Sequence, residues 1–296
     1  MTKKGNLFVY ALCGDHHVGL VNTSLRFLKN FTRQEIVVLA SRCESEIQHD
    51  QVQRHEVPSQ LDNHQASIML KTNVHRLVGS LAHRCFYLDT DVIAVDSEID
   101  MIFGMKCGPV SFAPDISRMR AFSRWAVRCS CLHEPCDHLR DRIRGKFGVE
   151  VSDPDWQHWN GGVFLFDSES VDFMDTWHRY TTSILLDPHW KTRDQGTLIA
   201  TAWKFQLQNQ PTLPTAYNYI VNAMRGIEMS KRATAPISEY FVNVSYSFDP
   251  NSTLTHPRFL HFINGGVGAR GWRNWDDAEA RLASSSNQHA EENLQS

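Results

Sequence analysis

The first third of the chain alternates short apolar runs with segments of helical periodicity, and this alternation constrains the fold most strongly. Apolar runs at 6–13, 35–40 and 84–88 predict strands, and a weaker strand is expected near 52–57. Apolar residues recur at helical spacing over about 18–30 and about 66–81. Strands that alternate with helices indicate a mostly parallel, Rossmann-like α/β sheet flanked by helices.

The rest of the chain continues this pattern after one irregular segment. Further strands are predicted at 109–113, 159–167 and 257–262, with helices over about 169–186 and from Asp194 onwards. The segment 116–158 is basic, carries cysteines and histidines, and is read as an insertion over the sheet. We expect a single domain over 1–283, with a donor-binding half at about 6–115 and an acceptor-side half at about 159–275, followed by a disordered polar tail at 284–296.

Composition excludes several classes of protein. The chain has 296 residues, 42% of them hydrophobic and 21% charged, as in ordinary soluble globular proteins. A net charge of −3 gives no electrostatic case for nucleic acid or an anionic membrane as a partner. No apolar run approaches the ~18 residues of a spanning helix, and the N-terminus does not resemble a signal peptide. Seven scattered cysteines do not resemble a disulfide framework, so a cytoplasmic, reducing location is expected.

Two acids directly after an apolar strand form the strongest chemical signal. Asp89 and Asp91 follow the run Arg84–Leu88, at the strand end where open α/β sheets collect ligands. Like charges there need a cation, and residues i and i+2 of an extended segment point the same way. Their carboxylates suit Mg²⁺ or Mn²⁺ held together with a substrate's phosphates. The alternative is an ordinary Asp-x-Asp turn.

Four further motifs could serve a nucleotide-sugar site, and each has a structural alternative. The loop 14–19 precedes a helix and could approach a ligand through backbone, or be a simple turn. Gly161 and Gly162 open an apolar strand, which leaves room for a sugar or marks a bulge. Asp194 or Gln195 could face the reacting sugar, and the alternative is that Asp194 or Thr192 caps the helix behind it. The segment 261–272 joins a histidine to a glycine-rich loop with Arg270, which could supply a metal ligand and phosphate donors, and the alternative is a purely structural histidine.

In this order the motifs resemble glycosyltransferases of the GT-A fold, particularly glycosyltransferase family eight and its bacterial relatives. The matching segments are Tyr87–Asp91, Asn160–Val163, Asp194–Gln195 and His261–Phe262. The likeness implies a UDP-hexose donor and Mn²⁺ or Mg²⁺ held by Asp89, Asp91 and His261. It departs from the family pattern at Gly14–His17 and in the late glycine-rich loop, where Arg270 or Arg273 stands in for a lysine.

The resemblance also implies roles for individual residues. The catalytic set is Asp194, Gln195 and Asn160. The donor-binding set is Ala11, Leu12, Cys13, Asp15, Lys71, Asp89, Thr90, Gly161, Gly162, Gly265 and Arg270. The acceptor is a saccharide, lipid, peptide or small molecule. The likeness favours retention of anomeric configuration, either with Asp194 as nucleophile or with front-face attack assisted by Gln195, whereas inversion would use Asp194 as general base.

Two other functions remain open at this point. A sugar nucleotidyltransferase would be expected to carry a basic, glycine-rich loop after the first strand, and 14–19 contains no Arg or Lys. A non-catalytic carbohydrate- or partner-binding protein could use the same fold, since fold alone does not prove activity.

A cysteine- and histidine-rich segment lies outside the resemblance. Cys129, Cys131, Cys136 and His138, or His133 in place of His138, fall within ten residues and could bind a structural Zn²⁺. Their spacing differs from the usual paired Cys-x-x-Cys pattern, so free cysteines are the alternative.

Overall fold

A computed structural model describes residues 5–79, 83–105, 108–131, 135–220, 227–228, 257–263 and 272–273, the two dipeptides by backbone alone. The chain forms two compact units that are interleaved in sequence. The first comprises residues 1–18, 34–89 and 102–213, and the second comprises 19–33, 90–101 and 214–296.

A six-stranded sheet forms the centre of the first unit. Its strands are β1 (Asn6–Cys13), β2 (Glu35–Ser41), β3 (Val52–Arg54), β4 (Arg84–Leu88), β6 (Ser111–Pro114) and β7 (Trp159–Asp167), while β5 (Val92–Ala94) lies in the second unit. The strand order is β3-β2-β1-β4-β7-β6. The four strands from β3 to β4 are parallel, and β7 is antiparallel to both β4 and β6. The predicted mostly parallel sheet is therefore confirmed.

Helices of the first unit pack against this sheet through one apolar core. They are α2 (Asn63–Thr72), α3 (Val74–Leu77), α4 (Met119–Ala126), α5 (His138–Phe147), α6 (Val171–Thr182) and α7 (Arg193–Lys204). Tyr87 of β4 stacks on Phe164 of β7 at 4.7 Å, and Trp177 of α6 contacts Phe164 edge-on at 5.4 Å. These interlocked rings hold the sheet and α6 together.

The predicted long helix at 66–81 is wrong in its bounds. It begins earlier, because Asp62 and Gln65 form a reciprocal capping box in which Asp62 accepts the Gln65 backbone N–H at 2.7 Å. It is interrupted at Asn73, after which α3 begins. Asp175 of α6 then binds α3, accepting hydrogen bonds from His75 at 2.7 Å and from Arg76.

The segment 116–158 is more regular than its sequence suggested. It contains α4 and α5, whose buried residues Met119, Leu139 and Ile143 belong to the same core as Phe112 of β6. The segment is therefore part of the first unit's packing.

The second unit contains α1 from Gly19 onwards and a three-stranded sheet. Helix α1 spans Val18–Phe31, and the strands are β5 (Val92–Ala94), β8 (Tyr219–Ile220) and β10 (Phe259–His261). The central β10 is antiparallel to β5 and parallel to β8. A separate two-residue ladder joins β9 (Ile227–Glu228) to β11 (Trp272–Arg273). Across the described ranges, no helix has the length and apolar character needed to traverse a bilayer.

Candidate active site

A buried lysine lies between two carboxylates at the carboxyl end of β4. Lys71 Nζ lies 3.0 Å from Asp89 Oδ2 and 2.9 Å from Asp194 Oδ2. Its side chain is 7% exposed, whereas those of Asp89 and Asp194 are 28% and 16% exposed. Three elements meet here: the last turn of α2, the end of β4 and the first turn of α7. The three charges therefore form one cluster at the sheet edge where α/β folds bind ligands.

Lys71 and Asp194 stay charged at neutral pH. Burial by itself would lower the pKa of Lys71, but the nearby Asp194 and Asp89 outweigh it and raise the pKa. Burial would likewise raise the pKa of Asp194, but Lys71 outweighs this and lowers it. The Tyr87 hydroxyl also donates to Asp89 Oδ1 at 2.9 Å. Asp194 is therefore an ionised carboxylate with weak basicity.

Gln195 joins α7 to the start of β7. Its Oε1 accepts the Gly161 backbone N–H at 2.9 Å, and its Nε2 donates to the Trp159 carbonyl. Asp89 N–H in turn donates to the Gly162 carbonyl at 2.8 Å. A Cβ on Gly161 would lie 3.3 Å from Gln195 Oε1 and 3.7 Å from Lys71 Nζ. Glycine at this position therefore lets the strand pass close to the charged cluster.

Asn160 orients the same strand start from the other side. Its Oδ1 accepts the Gly162 N–H at 2.9 Å, and its Nδ2 donates to Asp115 Oδ2 at 2.8 Å. His158 is fully buried, its Nε2 3.9 Å from Asp115 Oδ1 and its Nδ1 3.1 Å from Gln195 Nε2. Burial lowers the pKa of His158 despite Asp115, so the imidazole is neutral at pH 7.

The segment before α7 is held by the end of α4. The backbone N–H groups of Lys191 and Thr192 approach the Ala126 carbonyl at 2.8 and 3.4 Å. Trp177 Nε1 donates to the Asp194 carbonyl at 2.9 Å. A Cβ added to Gly196 would lie 2.7 Å from Trp190, so only glycine allows this approach. Neither Asp194 nor Thr192 caps α7 through its side chain, because the cap position is Thr192 and its side chain makes no capping bond.

The predicted nucleotide residues at the end of β1 are buried. Ala11, Leu12 and Cys13 extend past Tyr10, the last β1 residue paired with β4. Cys13 N–H donates to Ser67 Oγ at 2.8 Å. With side chains buried in the strand, these residues can contact a ligand only through backbone atoms.

Asp15 has a structural task of its own. Its Oδ1 accepts the backbone N–H groups of Glu44 and Ser45 at 2.9 and 2.7 Å. The hydrogen bonds from Ser45, with a smaller one from Glu44, lower the pKa of Asp15. Gly14 beside it has a φ of 86° and a Cβ there would collide with Asn63, which explains this glycine without a ligand.

The second unit brings together Asp91 and His261. His261 Nε2 lies 3.4 Å from Asp91 Oδ1, while His261 Nδ1 lies 2.9 Å from Asn218 Oδ1. The Phe262 N–H donates to the Asp91 carbonyl at 3.0 Å, which ties the end of β10 to the residue before β5. Asn218 thus fixes the ring so that Nε2 faces Asp91, as carboxamide or carboxylate partners do for metal-binding histidines.

The prediction that an extended strand orients Asp89 and Asp91 towards the same side is wrong. Thr90 and Asp91 lie in a turn between β4 and β5, so the alternation of an extended strand does not orient the two carboxylates. Thr90 itself is buried.

Gly265, Arg270, His133 and the tail 284–296 lie outside the described residues.

Two site residues were missed by sequence reasoning. Asp115 follows β6, and β6 and β4 are both antiparallel to β7, so these two strands end at the same sheet edge. The signal that identified Asp89, an acid directly after an apolar run, therefore applied to Asp115 as well. His158, by contrast, had no pattern to mark it.

Solved glycosyltransferase structures share this fold. The bifunctional glycosyltransferase WbbM matches with a TM-score of 0.59 and 12% identity over 96% of this chain and 50% of WbbM. The galactosyltransferase LgtC, in complex with donor and acceptor sugar analogues, matches with a TM-score of 0.53 and 11% identity over 94% of this chain and 95% of LgtC. An active-site variant of LgtC with glutamine replaced by glutamate gives 0.52 and 12%, over 96% and 95%.

GlyE of Streptococcus pneumoniae TIGR4 matches with a TM-score of 0.52 and 15% identity over 99% of this chain and 64% of GlyE. The chain thus spans about half the length of WbbM and nearly all of LgtC. No protein-family model matches the sequence, and no curated protein matches it by sequence. The chain has the GT-A fold of glycosyltransferases.

Proposed function

We propose that this chain is a glycosyltransferase that moves a hexose from a UDP-sugar to an acceptor hydroxyl with retention, assisted by Mn²⁺ or Mg²⁺. The observation that carries the proposal is the charged cluster of Asp89, Lys71 and Asp194, with Gln195 beside it, at the ligand-binding edge of a GT-A sheet. Membership of glycosyltransferase family eight is part of the same proposal.

The metal ligands we propose are Asp89, Asp91 and His261. Asp89 and Asp91 are separated by one residue, and His261 already faces Asp91 within the second unit. Among the described side chains, Asp91 Oδ1 is a buried carboxylate oxygen that lacks a hydrogen-bond partner, which a cation would satisfy. Because Mg²⁺ prefers oxygen ligands, an imidazole in the set favours Mn²⁺. A bound divalent ion would stabilise negative charge on the diphosphate leaving group.

The ionised state of Asp194 favours a retaining mechanism. A general base works best when its pKa lies near the working pH, and inversion would require such a base. Lys71 lowers the pKa of Asp194, which makes this carboxylate a poor base but keeps it ionised. An ionised carboxylate can stabilise the positive sugar that forms as the donor bond breaks, or attack it. Attack by Asp194 followed by displacement by the acceptor retains the configuration, and so does stabilisation of the sugar cation when the acceptor attacks on the face that UDP leaves, with Gln195 as the neighbouring positioning group.

The remaining donor contacts are assigned by position. Lys71 belongs to the charged cluster. Gly161 and Gly162 of β7 lie beside it, and Asn160 orients this strand. Ala11, Leu12 and Cys13 would offer backbone groups to the nucleotide. Asp15, Thr90, Gly265 and Arg270 remain predictions. LgtC was crystallised with donor and acceptor sugar analogues, so we favour a saccharide over a lipid, peptide or other small molecule as the acceptor.

A UDP-sugar panel tests the proposal. The chain should release UDP slowly from one UDP-hexose, only with Mn²⁺ or Mg²⁺, and the released sugar should keep its anomeric configuration by NMR. Asp89→Asn and Asp91→Asn should abolish the release. Asp141→Asn, an exposed acid on α5, is the matched control and should retain it.

Three other outcomes would refute the proposal, one in this assay and two in companion assays with UTP plus a sugar phosphate and with saccharides alone. Formation of UDP-sugar from UTP and a sugar phosphate would identify a nucleotidyltransferase. Saccharide binding without any UDP release would identify a binding protein. Metal-independent release would contradict the assigned ligands.

A further inference from the structure

We propose that Cys129, Cys131, Cys136 and His138 bind one structural Zn²⁺. One donor atom from each residue lies within 4.8 Å of the other three. All four residues belong to the first unit, between α4 and the first turn of α5, and are distinct from the acids of the candidate active site. The fold positions them although they are spread over ten residues.

The spacing of the donor atoms fits a tetrahedral zinc site. Tetrahedral Zn²⁺ with Zn–S of about 2.3 Å and Zn–N of about 2.0 Å places two sulfurs ~3.8 Å apart and a sulfur and a nitrogen ~3.6 Å apart. Cys129 Sγ and Cys136 Sγ are 3.9 Å apart, and Cys131 Sγ and His138 Nδ1 are 3.7 Å apart. Two opposite edges of the tetrahedron therefore already have the length that zinc requires.

The residue types select zinc among the common metals. Three thiolates and one imidazole are soft or borderline ligands, which bind Zn²⁺ and disfavour Mg²⁺, Ca²⁺ and Mn²⁺. Four protein ligands leave no open coordination position, which is the arrangement of structural sites. A disulfide between two of the cysteines would leave the third cysteine and His138 without a shared function.

Ser123 supplies a supporting contact from α4. Its hydroxyl is buried, lies 3.2 Å from Cys136 Sγ, and accepts the Leu139 backbone N–H at 3.0 Å. With that acceptor position used, the Ser123 O–H can donate to a Cys136 thiolate. Hydrogen bonds of this kind orient the ligands of metal sites and are a common part of them.

The proposed zinc site directly follows the end of α4, which contacts the segment before α7. Val127 forms a bridge with Trp190, and the Ala126 carbonyl accepts from Lys191 and Thr192. The first zinc ligand, Cys129, comes two residues after Val127. A bound zinc would therefore anchor the connection between α4 and α5. The inferred role of the metal is therefore to stabilise the packing around α4, α5 and the start of α7, with no contact to substrate.

Metal analysis of the full-length chain tests the proposal. The protein purified without chelators should contain one Zn²⁺ per chain, and Co²⁺ should replace it with the d–d bands of a tetrahedral site and a thiolate charge-transfer band. Cys131→Ser and Cys136→Ser should lose the zinc, whereas Cys85→Ala, a buried cysteine elsewhere in the first unit, should keep it. Binding should also weaken as pH falls, because the thiols must lose their protons.

The wild-type result decides the question even if the variants fold poorly. Absence of zinc together with absence of a thiolate–Co²⁺ band in the wild-type chain would overturn the proposal, as would a disulfide among these cysteines under reducing purification. Because the acids and histidine of the donor site contain no thiolate, the charge-transfer band separates this outcome from that of the proposed transferase activity.

Discussion

Replacing Lys71 by methionine tests how much the ion pairs of the charged cluster contribute to the stability of the fold. The substitution keeps an unbranched apolar stem but removes the ammonium that lies 3.0 and 2.9 Å from two carboxylates. Asp89 and Asp194 would then face each other's charge without a cation, in a site where neither is fully solvated. The destabilisation comes from these stranded charges more than from lost packing.

The expected size follows from their burial. Removing one partner of a buried ion pair costs about 3–5 kcal/mol. The two carboxylates are 28% and 16% exposed, so water offsets part of this cost and we expect the lower limit, about 3 kcal/mol. For a chain of this size that corresponds to a fall in Tm of about 6 °C, at about 2 °C per kcal/mol.

Urea unfolding of a double-mutant cycle measures this interaction. Asp194→Asn in the Lys71→Met background should restore stability relative to the sum of the single effects, with a coupling of at least about 1 kcal/mol. Lys146→Met, an exposed lysine on α5, serves as a control and should change stability by less than about 0.5 kcal/mol. A Lys71→Met variant as stable as this control, or strictly additive effects, would refute the reasoning.

Three further predictions concern single residues. Gln195→Glu replaces the amide donor to the Trp159 carbonyl with a carboxylate oxygen and should lower the rate of UDP release by at least ~10-fold, measured in the UDP-sugar assay, because two buried acceptors then face each other. Gly196→Ala should destabilise the chain by about 1–3 kcal/mol in urea unfolding, since its Cβ would lie 2.7 Å from the Trp190 ring. The hydrogen bond from Arg76 lowers the pKa of Asp175 from 3.8 to about 2, so its stabilisation is complete above pH 4 and lost as pH falls towards 2. Solvent exposure limits this contribution to about 1 kcal/mol, and Asp175→Asn should flatten acid unfolding in that window.

The Gly196 prediction has a matched control, and each of the other two has an outcome that would contradict it. Gly145→Ala on α5 meets no atom within 4 Å and should be neutral or stabilising by up to about 1 kcal/mol, so equal losses at Gly145 and Gly196 would contradict the steric argument. Unchanged UDP release by Gln195→Glu would remove this residue from the site. An unaltered acid transition in Asp175→Asn would show that its pairing with α3 contributes nothing measurable.

The sheet was predictable from sequence because its strands are buried on both faces. Their side chains form continuous apolar runs, as in β1 and β4, and these are visible without any long-range information. Asp89, Gly161 and Asp194 were identifiable for a related reason, since each occupies the end or start of such an element.

The partners within the site were not predictable in the same way. Which carboxylates pair with Lys71 depends on the strand order and on where α7 begins. Lys71 and Asp194, for example, lie 123 residues apart in sequence. The helices of 116–158 were missed because each buries only two or three residues, and charged residues dominate the sequence pattern. Local periodicity therefore failed where packing against distant elements defines the helix.

Calorimetric titration of UDP into the wild-type chain, with and without Mn²⁺, tests the central claim most directly. A metal held by Asp89, Asp91 and His261 should tighten UDP binding by at least ~10-fold, about 1.4 kcal/mol. The Asp89→Asn, Asp91→Asn double variant should bind UDP with the same affinity whether or not Mn²⁺ is present. UDP binding that ignores Mn²⁺ in the wild-type chain, or a metal effect that survives in the double variant, would contradict the claim.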